Sequence, residues 1–453
     1  MRYLSTRGEA PHLGFSDVLL SGLAPDGGLY MPEAWPQIGL EEVAGKPYGE
    51  AAFAVLKRFA GDSFAEADLK ADIAAAYCGF DDPRIAPLCR IGEDLHLLEL
   101  FHGPTLAFKD IAMQLIGRLL ARALEQRGGR TTVVAATSGD TGSAAIAALG
   151  GLANIDVFVM HPLGRVSEVQ RRQMTTSAHA NVHNIALAGS FDDAQAIVKA
   201  LFADDAFASQ VALTAVNSIN FARIAAQAVY YFTATAALGR PATFVVPTGN
   251  FGDVFAGEAA MRMGLPAERL IVATNANDIV ARALNDGVYQ AGEARHTISP
   301  SMDIQVASNF ERALFEASGR DAAFVRDAMK EERLVLPAAI RAALATRYAA
   351  FRADDEETLA VMARVHRELG LLIDPHTAVA MAAAEKVRAP GPVVVLATAH
   401  PGKFPDALAR ATGQIAPLPP RLREMMERPE NFVVLPPELG LVRTFIAARV
   451  PAP

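Results

Sequence analysis

Lys109 has the setting in this chain that most favours covalent chemistry. It ends the run Phe101-His-Gly-Pro-Thr-Leu-Ala-Phe-Lys109, ahead of Asp110, and the apolar positions Ile111, Leu115, Leu119 and Ala123 then describe one buried helix stripe. A lysine held against such a stripe is partly desolvated. Desolvation penalises the ammonium and favours the free amine that forms imines. Alone, a lysine near a helix start is more often a solvated cation, so its standing depends on its company.

Strand-to-helix loops supply that company. Thr137-Ser-Gly-Asp-Thr-Gly142 precedes an Ala-rich helical stretch, where backbone N–H groups and the positive helix end suit a carboxylate or phosphate. The same residues would also serve as ordinary N-caps. Thr248-Gly-Asn-Phe-Gly-Asp253 reads as a phosphate cup, because Gly249 and Gly252 let the backbone approach an anion closely. A tight turn needing glycine for geometry alone is the competing account. No Lys-Ser or Lys-Thr follows, and the G-x-G-x-x-G spacing is missing, so a single phosphate fits better than a nucleotide. Ala397-Thr-Ala-His-Pro-Gly-Lys403 adds a hydroxyl at Thr398 and a cation at Lys403. Asn217-Ser-Ile-Asn-Phe-Ala-Arg223 sets amides, a hydroxyl and an arginine at a helix start, a pattern suited to phosphate recognition and equally to a cap with a surface arginine.

Positioning these loops requires strands that alternate with helices. Residues 131–136, 155–160, 182–187, 243–247, 270–274 and 392–397 read as buried strands, and 143–149, 192–201 and 254–261 as helices. The alternation predicts an α/β fold with two open parallel-sheet lobes flanked by helices, ligands gathering at the carboxyl ends of the strands. We expect an N-terminal lobe over residues 1–95, an α/β lobe with Lys109 over 96–235, and an α/β lobe with the phosphate cup over 236–453. Residues 321–352, rich in Ala and charge and interrupted at Pro337, read as surface helices.

Composition narrows the function. With 453 residues, 51% hydrophobic and 20% charged, the chain has the profile of a multi-lobed soluble enzyme. A net charge of −8 without a basic cluster excludes a nucleic-acid footprint. Cys78 and Cys89 are too few for a disulfide framework, which points to a reducing compartment. His179 and His183 lack the glutamate of H-E-x-x-H, and His183 enters a strand pattern, so no metal site is expected. No signal peptide or membrane-length apolar run is read, which predicts a cytoplasmic protein. The sequence does not separate a monomer from a homodimer.

In combination, 101–110, Thr137-Ser-Gly-Asp-Thr-Gly142, Asn217-Ser-Ile-Asn220, Gly249-Asn-Phe-Gly-Asp253 and Thr398-Ala-His-Pro401 resemble the threonine synthase family, in the family's order. Arg2-Tyr-Leu-Ser-Thr-Arg-Gly8, Leu23-Ala-Pro-Asp-Gly-Gly-Leu-Tyr30, Ala273-Thr-Asn-Ala-Asn-Asp278 and Ser301-Met-Asp303 extend the match along the chain. The resemblance implies a fold-type II pyridoxal-phosphate enzyme with a family-specific N-terminal lobe, acting on O-phospho-L-homoserine. It implies that Lys109 carries the cofactor as an imine and that Gly249, Asn250, Phe251, Gly252 and Asp253 surround its phosphate. Thr398 is implied at the pyridine nitrogen. Thr137, Ser138, Gly139 and Thr141 are implied at the substrate's α-carboxylate, and Asn217, Ser218 and Arg223 near its phosphate. Asp140 departs from the Asn common in fold-type II loops, which donates to the cofactor's phenolic oxygen; a carboxylate donates only when protonated. It either shares a proton with that oxygen or points elsewhere. A phospholyase releasing 2-oxobutanoate and a non-catalytic cofactor-binding relative are the competing functions.

Overall fold

Strands covered by helices on both faces read as near-continuous apolar runs, and the central strands of this chain do so over most of their length. In the computed structural model, which describes residues 1–137, 139–214 and 219–450, Phe244, Val245 and Val246 are buried without a break, as are Val157, Phe158 and Val159. The chain forms two compact units, each with its own open sheet.

The first unit comprises residues 1–18, 23–112 and 218–416. Its six-stranded sheet runs Tyr348–Arg352, Ala267–Thr274, Ala242–Pro247, Val393–Ala397, Leu95–Glu99, Leu88–Arg90. Every pair is parallel except the last. The register sets Phe244 opposite Leu270 and Val394, which brings Thr248 and Thr398 to the same carboxyl edge. Below, Val245, Ile271 and Val395 meet Val379 and Ala383 of the helix Pro375–Lys386 in one core. The N-terminal residues add a small antiparallel sheet of Leu13–Gly14, Arg2–Ser5 and Tyr30–Pro32.

The second unit comprises residues 19–22, 113–217 and 417–453. Its sheet runs Val433–Leu435, Val182–Leu187, Ile155–Pro162, Thr131–Ala136, Leu213–Thr214, all parallel. Phe158, Met160, Ile185 and Leu187 share a core with Val442 and Ile446 of the helix Leu439–Ala447.

The units cross the linear divisions expected at residues 95 and 235. Strand pairing explains why: Leu95 lies in register with Val393, so one sheet draws its neighbours from distant parts of the chain. Residues 321–352 also differ from the all-helical expectation. Between the helices Ala322–Ala328 and Ala338–Ala345 lies the strand Arg333–Val335, and Tyr348–Arg352 forms an edge strand beside Leu270–Thr274. Partner strands overrode the local Ala-rich texture. Among the described residues no helix is long and apolar enough to cross a membrane, and no cluster of His, Cys, Asp and Glu could hold a metal.

Candidate active site

Lys109 opens the helix Lys109–Arg127, whose Ile111, Leu115, Leu119 and Ala123 are all buried, so the side chain starts from a rigid, apolar support. The lysine is itself buried, with Nζ 4.8 Å from the centroid of the Phe108 ring, a cation–π contact that orients it. The loop ahead of it is clamped on two sides. Asp110, fully buried, accepts from the Thr105 N–H at 2.7 Å and the Thr105 hydroxyl at 2.6 Å, while Lys403 Nζ donates to the Thr105 carbonyl at 2.8 Å. Burial pushes the Asp110 carboxyl up, against those bonds and the Lys403 charge. Leu106 takes a left-handed φ of 58°, a strained conformation costing about 1 kcal/mol or more that persists only where surroundings enforce it.

The same loop docks on the end of the strand Val393–Ala397. Phe108 N–H donates to the Thr398 carbonyl at 2.8 Å and His400 N–H to the Leu106 carbonyl at 3.1 Å. Lys109 and Thr398, far apart in sequence, are therefore held side by side, and Thr398 is buried.

The predicted phosphate cup lies on the same sheet edge, after the strand Ala242–Pro247. Phe251 has φ 65°, and no side chain caps the helix Gly252–Arg262 that it starts, so the first amides of that helix are not satisfied by a cap. Uncapped amides at a helix N-terminus form an anion site. Two segments brace the cup. Asn250 accepts at Oδ1 from the Ser308 N–H at 2.6 Å, and its carbonyl accepts from the Asn309 N–H at 3.2 Å and Nδ2 at 3.1 Å. At Gly249 a Cβ would stand 2.8 Å from the Ser301 carbonyl oxygen, so glycine is required there. Gly249→Ala should weaken cofactor binding at least about tenfold, roughly the worth of one displaced hydrogen bond. Titrating cofactor-free protein with pyridoxal phosphate measures this.

Arg223 and Asp253 supply the charge. Arg223, on the helix Phe221–Leu238, is buried and has no hydrogen-bond or ion-pair acceptor among the described residues. Burial pulls its guanidinium down to about 10, opposed by the charges of Tyr230 and Asp253. An uncompensated buried guanidinium is costly, and an anionic ligand would relieve it. Asp253 is half-satisfied: its Oδ1 accepts from the Tyr230 and Tyr231 hydroxyls, the latter at 3.0 Å, while Oδ2 is buried with no hydrogen-bond partner among the described residues.

Burial raises the Asp253 carboxyl to about 6, while the two tyrosines, Arg223 and Lys109 lower it. Its unfolded value is about 3.9. The folded state thus binds this proton more tightly, and the stability it contributes is complete below about pH 4 and lost as pH rises through about 6. Asp253→Asn keeps an acceptor for both tyrosines and does not titrate. Between about pH 4 and 7, the unfolding free energy of cofactor-free wild type should fall relative to the variant by roughly 2 kcal/mol. Urea unfolding at both pH values checks this.

In the second unit, the loop after the strand Thr131–Ala136 organises itself around Thr137, whose hydroxyl oxygen accepts from the Gly139 and Gly142 N–H groups, each at 3.0 Å. Two of the amides expected to face an anion are thereby used inside the loop. Gly139 has φ 146°, and a Cβ there would meet the Gln170 side chain at 2.6 Å. Asp140 accepts at Oδ1 from Gln170 Nε2 at 2.9 Å, so this oxygen points to a neighbouring helix of its own unit. Thr141 lies in the first turn of the helix Asp140–Leu149. The predicted residues Ser138, Asn217 and Ser218 lie outside the described residues.

Several positions escaped the sequence reading. Arg312, fully buried, donates through Nη1 to Asn309 and through Nη2 to the Ile219 carbonyl at 2.6 Å, linking the brace of the cup to the start of the Arg223 helix. Burial lowers its guanidinium to about 9. Glu311 accepts from the Thr6 hydroxyl at 2.6 Å and from Arg7 at 3.1 and 3.0 Å, which ties the N-terminal strand to that brace. Tyr230 and Tyr231 lie seven and eight positions after Arg223, one helical face, a spacing readable only once Arg223 is known to be buried. Asn309 and Arg312 sit in a segment without strand or glycine signals, and nothing in their types marks them.

Pyridoxal phosphate fits the residues present. A buried amine at Lys109 can take its aldehyde, the uncapped helix behind Gly249 its phosphate, and the neighbouring Thr398 hydroxyl its ring nitrogen. Comparison with known proteins agrees. Family models described as threonine synthase N terminus, pyridoxal-phosphate dependent enzyme, and threonine synthase C-terminal match residues 2–77, 84–335 and 377–446. A threonine synthase from Pseudomonas aeruginosa is 50% identical over 99% of this chain and 98% of its own. The crystal structure of pyridoxal-phosphate-bound threonine synthase from Brucella melitensis superposes with a TM-score of 0.98 at 50% identity, covering 100% of both chains. Yeast threonine synthase superposes at 0.94 with 35% identity, over 99% of this chain and 98% of the other. With its N-terminal strands, cofactor loops and C-terminal segment all accounted for, the chain belongs to the threonine synthase family of fold-type II pyridoxal-phosphate enzymes.

Proposed function

We propose that this chain converts O-phospho-L-homoserine and water to L-threonine and inorganic phosphate. The observation that carries the reading is Arg223: a buried cation without an acceptor among the described residues, in the same unit as Lys109 and the cofactor cup. The cup serves the cofactor's phosphate, so Arg223 is available for the phosphate of a substrate. Its guanidinium makes charge-assisted bonds to the departing group and favours its leaving. By family resemblance Asn217 and Ser218 join it, and Thr137, Ser138, Gly139 and Thr141 take the substrate's α-carboxylate.

Bound pyridoxal phosphate supplies an electron sink for negative charge developing on the substrate. With the cofactor bound, the Lys109 amine would serve as the base: it removes the Cα proton, then moves the Cβ proton as phosphate leaves Cγ. Cγ is reprotonated, water adds its oxygen at Cβ, and the Cα proton returns. One water is consumed and one phosphate released. With the cofactor bound, a neutral hydroxyl at Thr398, in place of a carboxylate, would leave the ring nitrogen largely unprotonated and so would moderate its electron demand. Cys78 and Cys89 are free thiols, in keeping with a cytoplasmic location.

Incubation of the holoenzyme with O-phospho-L-homoserine tests the reading. Threonine and phosphate should accumulate in equal amounts. Accumulation of 2-oxobutanoate without threonine would overturn it in favour of a phospholyase.

A further inference from the structure

His376 has no part in the chemistry above, yet its surroundings fix it as tightly as any residue of the site. It lies in the first turn of the helix Pro375–Lys386, capped by the fully buried Asp374. Asp374 Oδ1 accepts from the His376 backbone N–H at 2.9 Å and lies 2.8 Å from its Nδ1; Oδ2 accepts from the Thr377 N–H at 3.3 Å and from the Thr377 hydroxyl. A carboxylate beside Nδ1 places the imidazole proton there. Nε2 is then an acceptor, and the backbone N–H of Ser301 donates to it at 3.2 Å. The Phe404 ring, 4.9 Å away and inclined at 62°, holds the imidazole plane.

Ser301 is the residue that closes the cup. It is central in the 3₁₀ turn Pro300–Met302, and its carbonyl is the atom a Cβ on Gly249 would meet at 2.8 Å, with Met302 Cα at 3.3 Å. One face of Ser301 is pinned by the histidine and the other lies against the cup. From this chain of contacts we infer that the Asp374–His376 pair is a positioning device for the cofactor phosphate, pressing the Pro300–Met302 turn onto Gly249 so that the cup is formed before the phosphate arrives. Preformed amides bind an anion without a further ordering cost, so the pair acts on cofactor affinity first and on turnover second.

The inference rests on reading residues 249–253 as the cofactor cup, and the variants separate the two. The readouts are the dissociation constant of pyridoxal phosphate for cofactor-free protein and the melting temperature of that same protein. His376→Phe keeps a ring against Phe404 and removes the acceptor. His376→Gln keeps an acceptor near the position of Nε2, whereas His376→Asn keeps one only near Nδ1. The Phe and Asn variants should bind the cofactor about tenfold more weakly, with Gln within about threefold of wild type, a spread set by one hydrogen bond. Melting of the cofactor-free protein should not follow that order. Wild-type affinity in the Phe and Asn variants, with Gly249→Ala impaired, would overturn the positioning role and leave the cup. Equal weakness of Gln and Asn, or affinities that track melting temperature, would overturn it as well. Wild-type affinity in Gly249→Ala would overturn the cup itself, and the inference with it.

Discussion

Lys109→Ala should abolish threonine formation while leaving the fold intact. The substitution removes both the attachment point and the base, and a positioned base alone is worth about 10²–10⁴ in rate, so turnover should fall by at least about 10³-fold. The fold should survive because the stripe of Ile111, Leu115, Leu119 and Ala123 carries the packing of this helix, and Asp110 still holds Thr105. Circular dichroism should match wild type. The visible absorbance of the attached cofactor should be lost, and added primary amines should restore little, since the clamp made by Asp110, Lys403 and Thr398 positions an amine on the chain and not one in solution.

Arg223→Met should separate binding from stability in opposite directions. The guanidinium is buried without an acceptor among the described residues, so an apolar side chain of similar length removes a desolvation cost. Cofactor-free Arg223→Met should therefore be more stable than wild type by about 1 kcal/mol or more. Its kcat/KM for O-phospho-L-homoserine should fall by on the order of 10²–10³-fold, the loss of one or two charge-assisted bonds. Arg223→Lys retains charge without the planar fork and should lie between the two. Steady-state kinetics and urea unfolding of one preparation test both halves; a variant less stable and equally active would assign Arg223 to the core.

The loops that carry chemistry were legible because glycine, hydroxyl and amide residues at strand ends have few other uses. Gly249, Phe251 and Asp253 lie at the strand-to-helix turn the sequence predicted, and Lys109 heads the helix its apolar stripe announced. Lys403 was visible as a cation and illegible in role: its bond to the Thr105 carbonyl depends on a loop closure that periodicity does not encode. Asp253 was placed around the phosphate, and the tertiary structure adds that one of its oxygens faces Tyr230 and Tyr231, which periodicity does not show. Arg312, Asn309 and His376 were missed for a common reason: each acts on backbone groups of distant segments. The strand Tyr348–Arg352 was read as helix because its partner, Leu270–Thr274, decides its conformation.

Borohydride reduction of the holoenzyme followed by peptide mapping addresses the central claim without relying on any variant. Reduction fixes the cofactor to the nitrogen that holds it, and the phosphopyridoxyl label should appear, stoichiometrically, on the peptide containing Lys109. Label on Lys403 or another lysine, or an unlabelled protein that still makes threonine, would contradict the account.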